Sequence, residues 1–304
     1  MSRSTQRCVD RWPVNCTARL RPGRRHIPTP VAVLCPVFPG QNRTVVDGQV
    51  LVEGVPVAHT AAADDPVTPV LDSRLERLVP GATAVTASDL DATCGPVGGP
   101  PRLMFADAAT DDDLDRIAAA VHRLGPRGVA AGSAGLAAAM ARRWSGGTAG
   151  PTSPIRPSAR ILVAVSSVHP VSAISVSRLR DKLLKFDAPA QPAVDVITTS
   201  DRRAASSAEV AADFGERVAE QLLRHPYDTV VLVGGDGAAA TLDRVGATAI
   251  SVHAALAPGI PIGIICGGAA HGLHVVTKSG GFGDADSLIE IVDLLQSARQ
   301  EGNP

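Results

Sequence analysis

Short apolar runs alternate with longer amphipathic stretches along most of the chain, which predicts strands alternating with helices. Val31–Val37 reads as a strand. In the stretch from Pro39 to Thr60, Asp47-Gly48 sits between apolar runs, as a tight hairpin turn requires. Val50, Val52 and Val55 to Val57 supply the returning β segment. A short helix is expected over Leu71–Leu78 and a strand over Arg102–Ala108. "TDDDLDRIAAAVHRLG" opens with acids and carries Leu114, Ile117, Val121 and Leu124 on one face, so an amphipathic helix ends at Gly125. "GVAAGSAGLAAAMARRW" then gives a strand, a glycine-rich turn and a small-residue helix.

The stretch from Ser145 to Ala159 is almost entirely Gly, Ser, Thr and Pro, and the domain boundary is placed there. Beyond it, "RILVAVSS", "AVDVITTS", "TVVLV", "IPIGIICGG" and "LHVVTKSGG" read as strands. Helices are expected over "SAISVSRLRDKLLKF", over "SAEVAADFGERVAEQLL", where Ser206 and Glu209 have capping-box spacing, after "GGDG", and from about Asp286 to Ala298. The fold class is α/β with two domains, the C-terminal one a largely parallel sheet with helices on both faces. The expected division is 1–30, an Arg-rich start that is disordered or foreign to the fold; 31–148, part of a first domain; 149–157, a linker; and 158–304, a second domain.

Of the 304 residues, 45% are hydrophobic and 3% aromatic, so Ala, Val, Leu and Ile must fill the cores. The net charge of −1 gives no global field for nucleic acid or a membrane surface, and no apolar run approaches a membrane span. The first thirty residues hold seven arginines and one acid without the apolar core of a signal peptide. A basic arm for nucleic acid is conceivable there; a poorly ordered end is the preferred reading. Five scattered cysteines, none at zinc or redox spacing, point to a reduced, cytoplasmic chain.

Ligands of open α/β sheets bind beyond the carboxyl ends of the strands. Three turns of the second half fall at such ends: "SSVHP" (166–170), "GGDGA" (234–238) and "KSGGFG" (278–283). Each alone is read most simply as a turn that needs left-handed backbone. Together they suggest an anion held by backbone N–H groups and helix N-termini. None matches a Walker A loop or G-x-G-x-x-G, so a Rossmann dehydrogenase is a poor reading.

"GGDGAAATLDRVG", "APGIPIG" and "VVTKSGGFGDADSL" resemble the nucleotide-binding domain of the four-carbon acid sugar kinase family. "ILVAVSSVHPVSAIS", "GSAGLAAAMA" and "CPVFPGQNRTVVDGQVLVEGVPVAHT" are similar to further family segments, in the family's order, so that the resemblance covers residues 31 to about 295. It implies ATP-dependent phosphorylation of a tetronate at its 4-hydroxyl, with ATP and Mg2+ on the C-terminal domain and the sugar acid on the N-terminal one. The family's Asp-Asp-x-Thr-Gly motif is not found, which suggests a chain truncated in its first domain that binds nucleotide with little or no turnover. The family's Thr in Gly-Gly-Asp/Glu-Thr-Ala is Gly237, the Gly of its Gly-Ser turn is Ser166, and the Gly before its substrate-side Arg is Asn42. The rival reading is a non-catalytic nucleotide-binding remnant or regulatory protein of the same fold.

By the resemblance, Ser167, Gly234, Gly235, Asp236, Gly237, Lys278, Gly280 and Gly281 line the nucleotide, Asp236 holds Mg2+ through water, and Arg43 takes a sugar carboxylate or the transferred phosphate. The plain alternatives are a helix cap for Ser167, an N-cap before Ala238 for Asp236, a surface position for Lys278 and a hairpin salt bridge for Arg43. Asp284 and Asp286 are read as caps of the last helix, His169 and His271 as turn residues or polar lining, and Cys266 as a small buried hydrophobe. No catalytic base is identified. Expected partners are ATP and a small sugar acid, with a homo-oligomer left open and no nucleic acid or membrane.

Overall fold

The computed structural model describes residues 30–65, 68–86, 89, 102–146, 157–185, 193–199 and 206–297. The Arg-rich opening (1–29) and most of the expected linker lie outside the described residues. The chain forms two compact units, 4–150 and 151–304.

In the first unit the elements run β1 (Val31–Cys35), β2 (Arg43–Val46), β3 (Gln49–Val52), β4 (Val55–Pro56), α1 (Leu75–Leu78), β5 (Thr83–Val85), β6 (Arg102–Ala106), α2 (Asp111–Arg123), β7 (Gly128–Gly132) and α3 (Ala134–Trp144). β5-β6-β1-β7 form a parallel sheet, and β2-β3-β4 a separate antiparallel one. The central strand β1 is buried along its whole length, which accounts for its unbroken apolar run. α2 places Leu114, Ile117 and Val121 in the core, as its periodicity predicts. The helix opens with a capping box in which Thr110 Oγ1 accepts the Asp113 N–H (3.2 Å) and the Asp113 carboxylate accepts the Thr110 N–H (3.0 Å). The Ala109 N–H (3.0 Å), with the Thr110 hydroxyl and N–H beside it, donates to the Asp113 carboxylate and holds its pKa below the usual carboxylate range. Thr110→Ala removes one half of the box and is expected to lower stability by about 1 kcal/mol in denaturant melts, with the folded spectrum unchanged.

Asp47 and Gly48 take φ of 49° and 70° and pair Val46 with Gln49, the expected hairpin turn. The returning segment, expected as one piece, is two strands split by a second turn at Glu53-Gly54 (φ 53° and 77°). The helix expected over Leu71–Leu78 is shortened to α1. Asp72 Oδ1 accepts the Arg74 N–H (2.9 Å), Ser73 Oγ accepts the Ala58 N–H (3.0 Å), and the Ser73 carbonyl accepts the Val50 N–H (2.8 Å). Side-chain and hairpin bonds thus take the backbone groups a first helical turn would use.

The second unit contains β8 (Arg160–Val165), α4 (Pro170–Lys185), β9 (Ala193–Thr198), α5 (Ser207–Arg224), β10 (Thr229–Val233), α6 (Gly235–Arg244), β11 (Ala249–Ala257), β12 (Ile260–Cys266), β13 (His274–Lys278) and α7 (Ser287–Ser297). The sheet order is β11-β12-β13-β10-β8-β9, with β13, β10, β8 and β9 parallel and β12 and β11 antiparallel at one edge. α4 and α7 cover one face, through Val176, Leu179, Leu288 and Ile291. α5 covers the other, through Phe214 and Val218, joined by Val245 just past α6. The Ser206–Glu209 capping box forms as its spacing predicts. The sequence pattern misses two strands, the three-residue β5 and the longer β11. The residues of β11 are mostly exposed, small and weakly patterned, with register irregularities around Val252–Ala257. Among the described residues no helix is long and apolar enough to cross a membrane.

Candidate nucleotide site

The register of the parallel strands sets Val165, Val233 and Lys278, the last residues of β8, β10 and β13, side by side. The three glycine- and serine-rich turns therefore emerge together from the carboxyl edge of the sheet. Ser166 donates its N–H and its hydroxyl to the Val233 carbonyl (2.8 and 3.1 Å), and the Gly234 N–H donates to the Lys278 carbonyl (3.0 Å). Gly234 has φ of 100°, and a Cβ there would stand 2.8 Å from Ser167 N. A Cβ at Gly237 would overlap Ser166 and lie 2.8 Å from Phe214 Cδ1, so the family's Thr at this place has no room beside Ser166. Ser166 and Gly237, both departures from the family pattern, thus fit one another. A Cβ at Gly280 would overlap Ser167 Oγ, whereas one at Gly281 would meet only the His169 imidazole, at 3.1 Å.

The structure brings Ser167, Gly234, Gly235, Asp236, Gly237, Lys278, Gly280 and Gly281 into this one cluster of turns. Ser167 Oγ accepts the His169 N–H (3.1 Å), a bond of the turn just ahead of α4 rather than an N-cap. His169 Nδ1 in turn accepts the Val171 N–H (3.3 Å). Asp236 is not the N-cap that one reading of the sequence offered. α6 begins at Gly235, Gly234 is its cap residue and provides no side-chain cap, and Asp236 lies in the first turn. The first N–H groups of a helix have no intrahelical partner, so this uncapped end presents donors with a partial positive charge.

Lys278 is not the surface lysine of the other plain alternative: it is 3% exposed. Its Nζ donates to the Ser279 carbonyl at 3.4 Å, and among the described residues no carboxylate lies within ion-pair distance of it. Burial pulls its pKa down to about 8, with the Asp284 charge acting the other way. Asp284 is occupied locally, accepting the Asp286 N–H (2.9 Å) and the Ser287 hydroxyl (3.1 Å), which holds its pKa below the ordinary value. Asp286 pairs with Arg178 at 2.6 Å. Both aspartates thus shape the entry to α7.

Two residues that the sequence reading passed over clamp the last turn. Ser172 and Ser175, buried in α4, donate to the carbonyls of Gly280 (2.8 Å) and Asp284 (2.7 Å). Their signal was available: two serines three apart on the stripe that also holds Val176 and Leu179. His271 stands elsewhere, its Nδ1 accepting the Gly267 N–H (3.0 Å) in a tight turn. Cys266, expected to be buried, is half-buried because it ends its strand.

Arg43 belongs to the first unit. Its backbone exchanges hydrogen bonds with Phe38 (2.8 and 3.1 Å), which sets it near the carboxyl end of β1, and Asn42 before it takes the left-handed conformation (φ 49°) that the family's Gly would supply. The hairpin salt bridge does not form: the buried Arg43 Nε has no hydrogen-bond partner, and burial lowers the guanidinium pKa. Among the described residues no three His, Cys, Asp or Glu side chains group as a metal cage. A carboxylate at the turn cluster still fits Mg2+, which takes one or two carboxylates and fills its shell with water and phosphate oxygens.

Parallel strands thus end in an uncapped helix, a serine turn and a glycine loop over a buried lysine, an α/β arrangement whose free N–H groups and positive charge are chemically suited to an anion. Comparison with known proteins agrees: a family model described as a sugar-binding N-terminal domain matches residues 16–140, and one described as a nucleotide-binding C-terminal domain matches 174–288. The chain is 36% identical to a D-threonate kinase of Bordetella bronchiseptica, over 88% of this chain and 72% of the relative. It is 24% identical to a 3-oxo-tetronate kinase of Methylobacterium radiotolerans, over 87% and 74%. A solved structure from Salmonella typhimurium shares the fold, with a TM-score of 0.60 at 19% identity, over 86% of this chain and 72% of that one. The chain belongs to the four-carbon acid sugar kinase family.

Proposed function

We propose that the protein is an ATP-dependent kinase that phosphorylates a four-carbon acid sugar, a tetronate, at its 4-hydroxyl. The observation that carries the reading is the packed cluster of three turns at the strand ends, in a chain 36% identical to a D-threonate kinase. Ser167, Gly234, Gly235, Asp236, Gly237, Lys278, Gly280 and Gly281 form the nucleotide surface. The uncapped N–H groups of α6 and the backbone of Gly280 and Gly281 receive phosphate oxygens, and Lys278 supplies positive charge beneath them. Asp236 is the carboxylate for Mg2+, which would neutralise charge on the phosphates when bound with ATP. Arg43 takes the carboxylate of the sugar acid or the phosphoryl group in transit, as a bidentate donor. These residues bind and orient; phosphoryl transfer depends mainly on such positioning and on charge neutralisation.

The test is ADP release with D-threonate, L-threonate, D-erythronate and an oxo-tetronate, together with calorimetric titration of ADP and NAD. Although the missing Asp-Asp-x-Thr-Gly motif argues for little turnover, the 36% identity to a D-threonate kinase outweighs it here: turnover of at least one acid is expected, with preference for ADP over NAD. A folded protein that binds neither ATP nor ADP, or prefers NAD, overturns the reading. Binding without turnover of any tetronate leaves the nucleotide site standing and removes the kinase.

A further inference from the structure

Lys278 combines two properties that rarely coexist without a ligand: it is almost completely buried, and it has no carboxylate partner among the described residues. It alternates with Val276 on β13 and so points to the sheet face covered by α4 and α7, where Val276 lies in the core with Val165, Val233 and Leu288. Every element around it offers the amine little compensation. From α4 come the Ser172 and Ser175 hydroxyls, both spent on loop carbonyls. From α7 comes Ser287, bonded to Asp284. The loop carries Asp284, engaged by Asp286 N–H and Ser287, and Asp286 is neutralised by Arg178. β10 contributes Val233, and the first turn of α6 carries Asp236. A lone ammonium removed from water favours its neutral form, and a nearby anion restores the charge.

We propose that nucleotide binding to the second unit is coupled to uptake of one proton by the Lys278 amine, the bound phosphate supplying the counter-charge that no ion pair among the described residues provides. The inference rests on the nucleotide reading above and adds a regulation of that site by pH. The step is a protonation alone: the amine lone pair takes a proton from solvent or buffer, and no other bond changes.

The sign follows from linkage. In the free protein the amine titrates near pH 8, below the ordinary lysine value, because of desolvation. Bound phosphate raises that value. Well below pH 8 both states are protonated and affinity is flat. Above pH 8 the free protein has lost the proton and the complex has kept it, so affinity falls with rising pH, approaching about tenfold per pH unit. The last ionisation of a phosphate monoester, near pH 6, does not contribute in this window.

The experiment is isothermal titration of the full chain with ADP at pH 7.0, 8.0 and 9.0, in buffers of differing ionisation enthalpy. Uptake of about half a proton or more at pH 8.0 and above, falling toward zero at pH 7.0, is expected. Lys278→Met, which keeps the length and removes the charge, should abolish the uptake, flatten the pH dependence, and weaken ADP binding more at pH 7.0 than at pH 9.0. ADP binding without proton uptake at pH 8.0–9.0, or uptake that persists in a folded Lys278→Met protein, overturns the proposal and leaves the nucleotide site intact. Absence of ADP binding by the folded wild-type chain defeats that site and the proposal together. Should Lys278→Met not fold, the wild-type proton count alone decides.

Discussion

Gly280→Ala is expected to weaken ADP binding by at least about 100-fold, equivalent to about 2.7 kcal/mol, while far-UV circular dichroism stays close to wild type. The added methyl would overlap Ser167 Oγ and stand 3.3 Å from Ser172 Oγ, whose hydroxyl also holds the Gly280 carbonyl at 2.8 Å, so the loop must shift to admit it and strains that bond when it does. Either the Ser167 turn or the 279–283 loop must move, and both belong to the proposed phosphate surface. Gly281→Ala is expected to be much milder, within a few-fold of wild-type affinity. Its methyl would press only on the edge of the His169 imidazole at 3.1 Å, which need give by no more than a few tenths of an ångström. The sequence treats the two glycines as equivalent; their packing does not. ADP titrations of the two variants decide. Wild-type affinity in a folded Gly280→Ala protein would mean that contact between these turns is irrelevant to binding, and the site would have to be drawn elsewhere.

The uneven legibility of this chain has physical causes. Buried parallel strands such as β1, β8 and β10 show themselves because both faces must be apolar, and α2 and α5 because a single stripe must be. Turns that demand left-handed backbone, such as Asp47-Gly48, are equally plain. β11 is not, because an edge strand of small, exposed residues has little pattern to impose. The helix forecast over Leu71–Leu78 is cut short by partners far away in sequence, the Val50 N–H among them. At the site, glycine and serine content gives the location of the turns, and the strand register brings them together. The depth of each side chain is set by tertiary packing and cannot be read locally. Lys278 ends a strand like many surface lysines, yet the loop folds over it. Asp236 looks like a cap, yet α6 starts one residue earlier, at Gly235.

Arg43→Met is expected to separate function from stability. An arginine Nε that is buried without a hydrogen-bond partner leaves a donor stripped of water, at a cost of about 1–3 kcal/mol. Burial without a counter-charge also lowers the guanidinium pKa, the reverse of what an ion pair does. Methionine fills much of the same space without the donor, so the unfolding temperature of the first unit should be unchanged or raised. Turnover of the tetronate should nevertheless fall by about 100-fold or more, because a charge-assisted, bidentate contact to carboxylate or phosphate is lost. Lysine should not restore it, since a point charge cannot reproduce the planar fork. ADP affinity, which belongs to the other unit, should stay at the wild-type value. The kinetic split then identifies the anion that Arg43 serves. A rise in KM for the acid at constant kcat marks the substrate carboxylate, held equally in ground and transition states. An equal fall in kcat and kcat/KM marks the phosphoryl group in transit. If Arg43→Met instead destabilises the protein by several kcal/mol while the folded fraction turns over normally, Arg43 is a structural residue of the hairpin and the acid is bound by other groups.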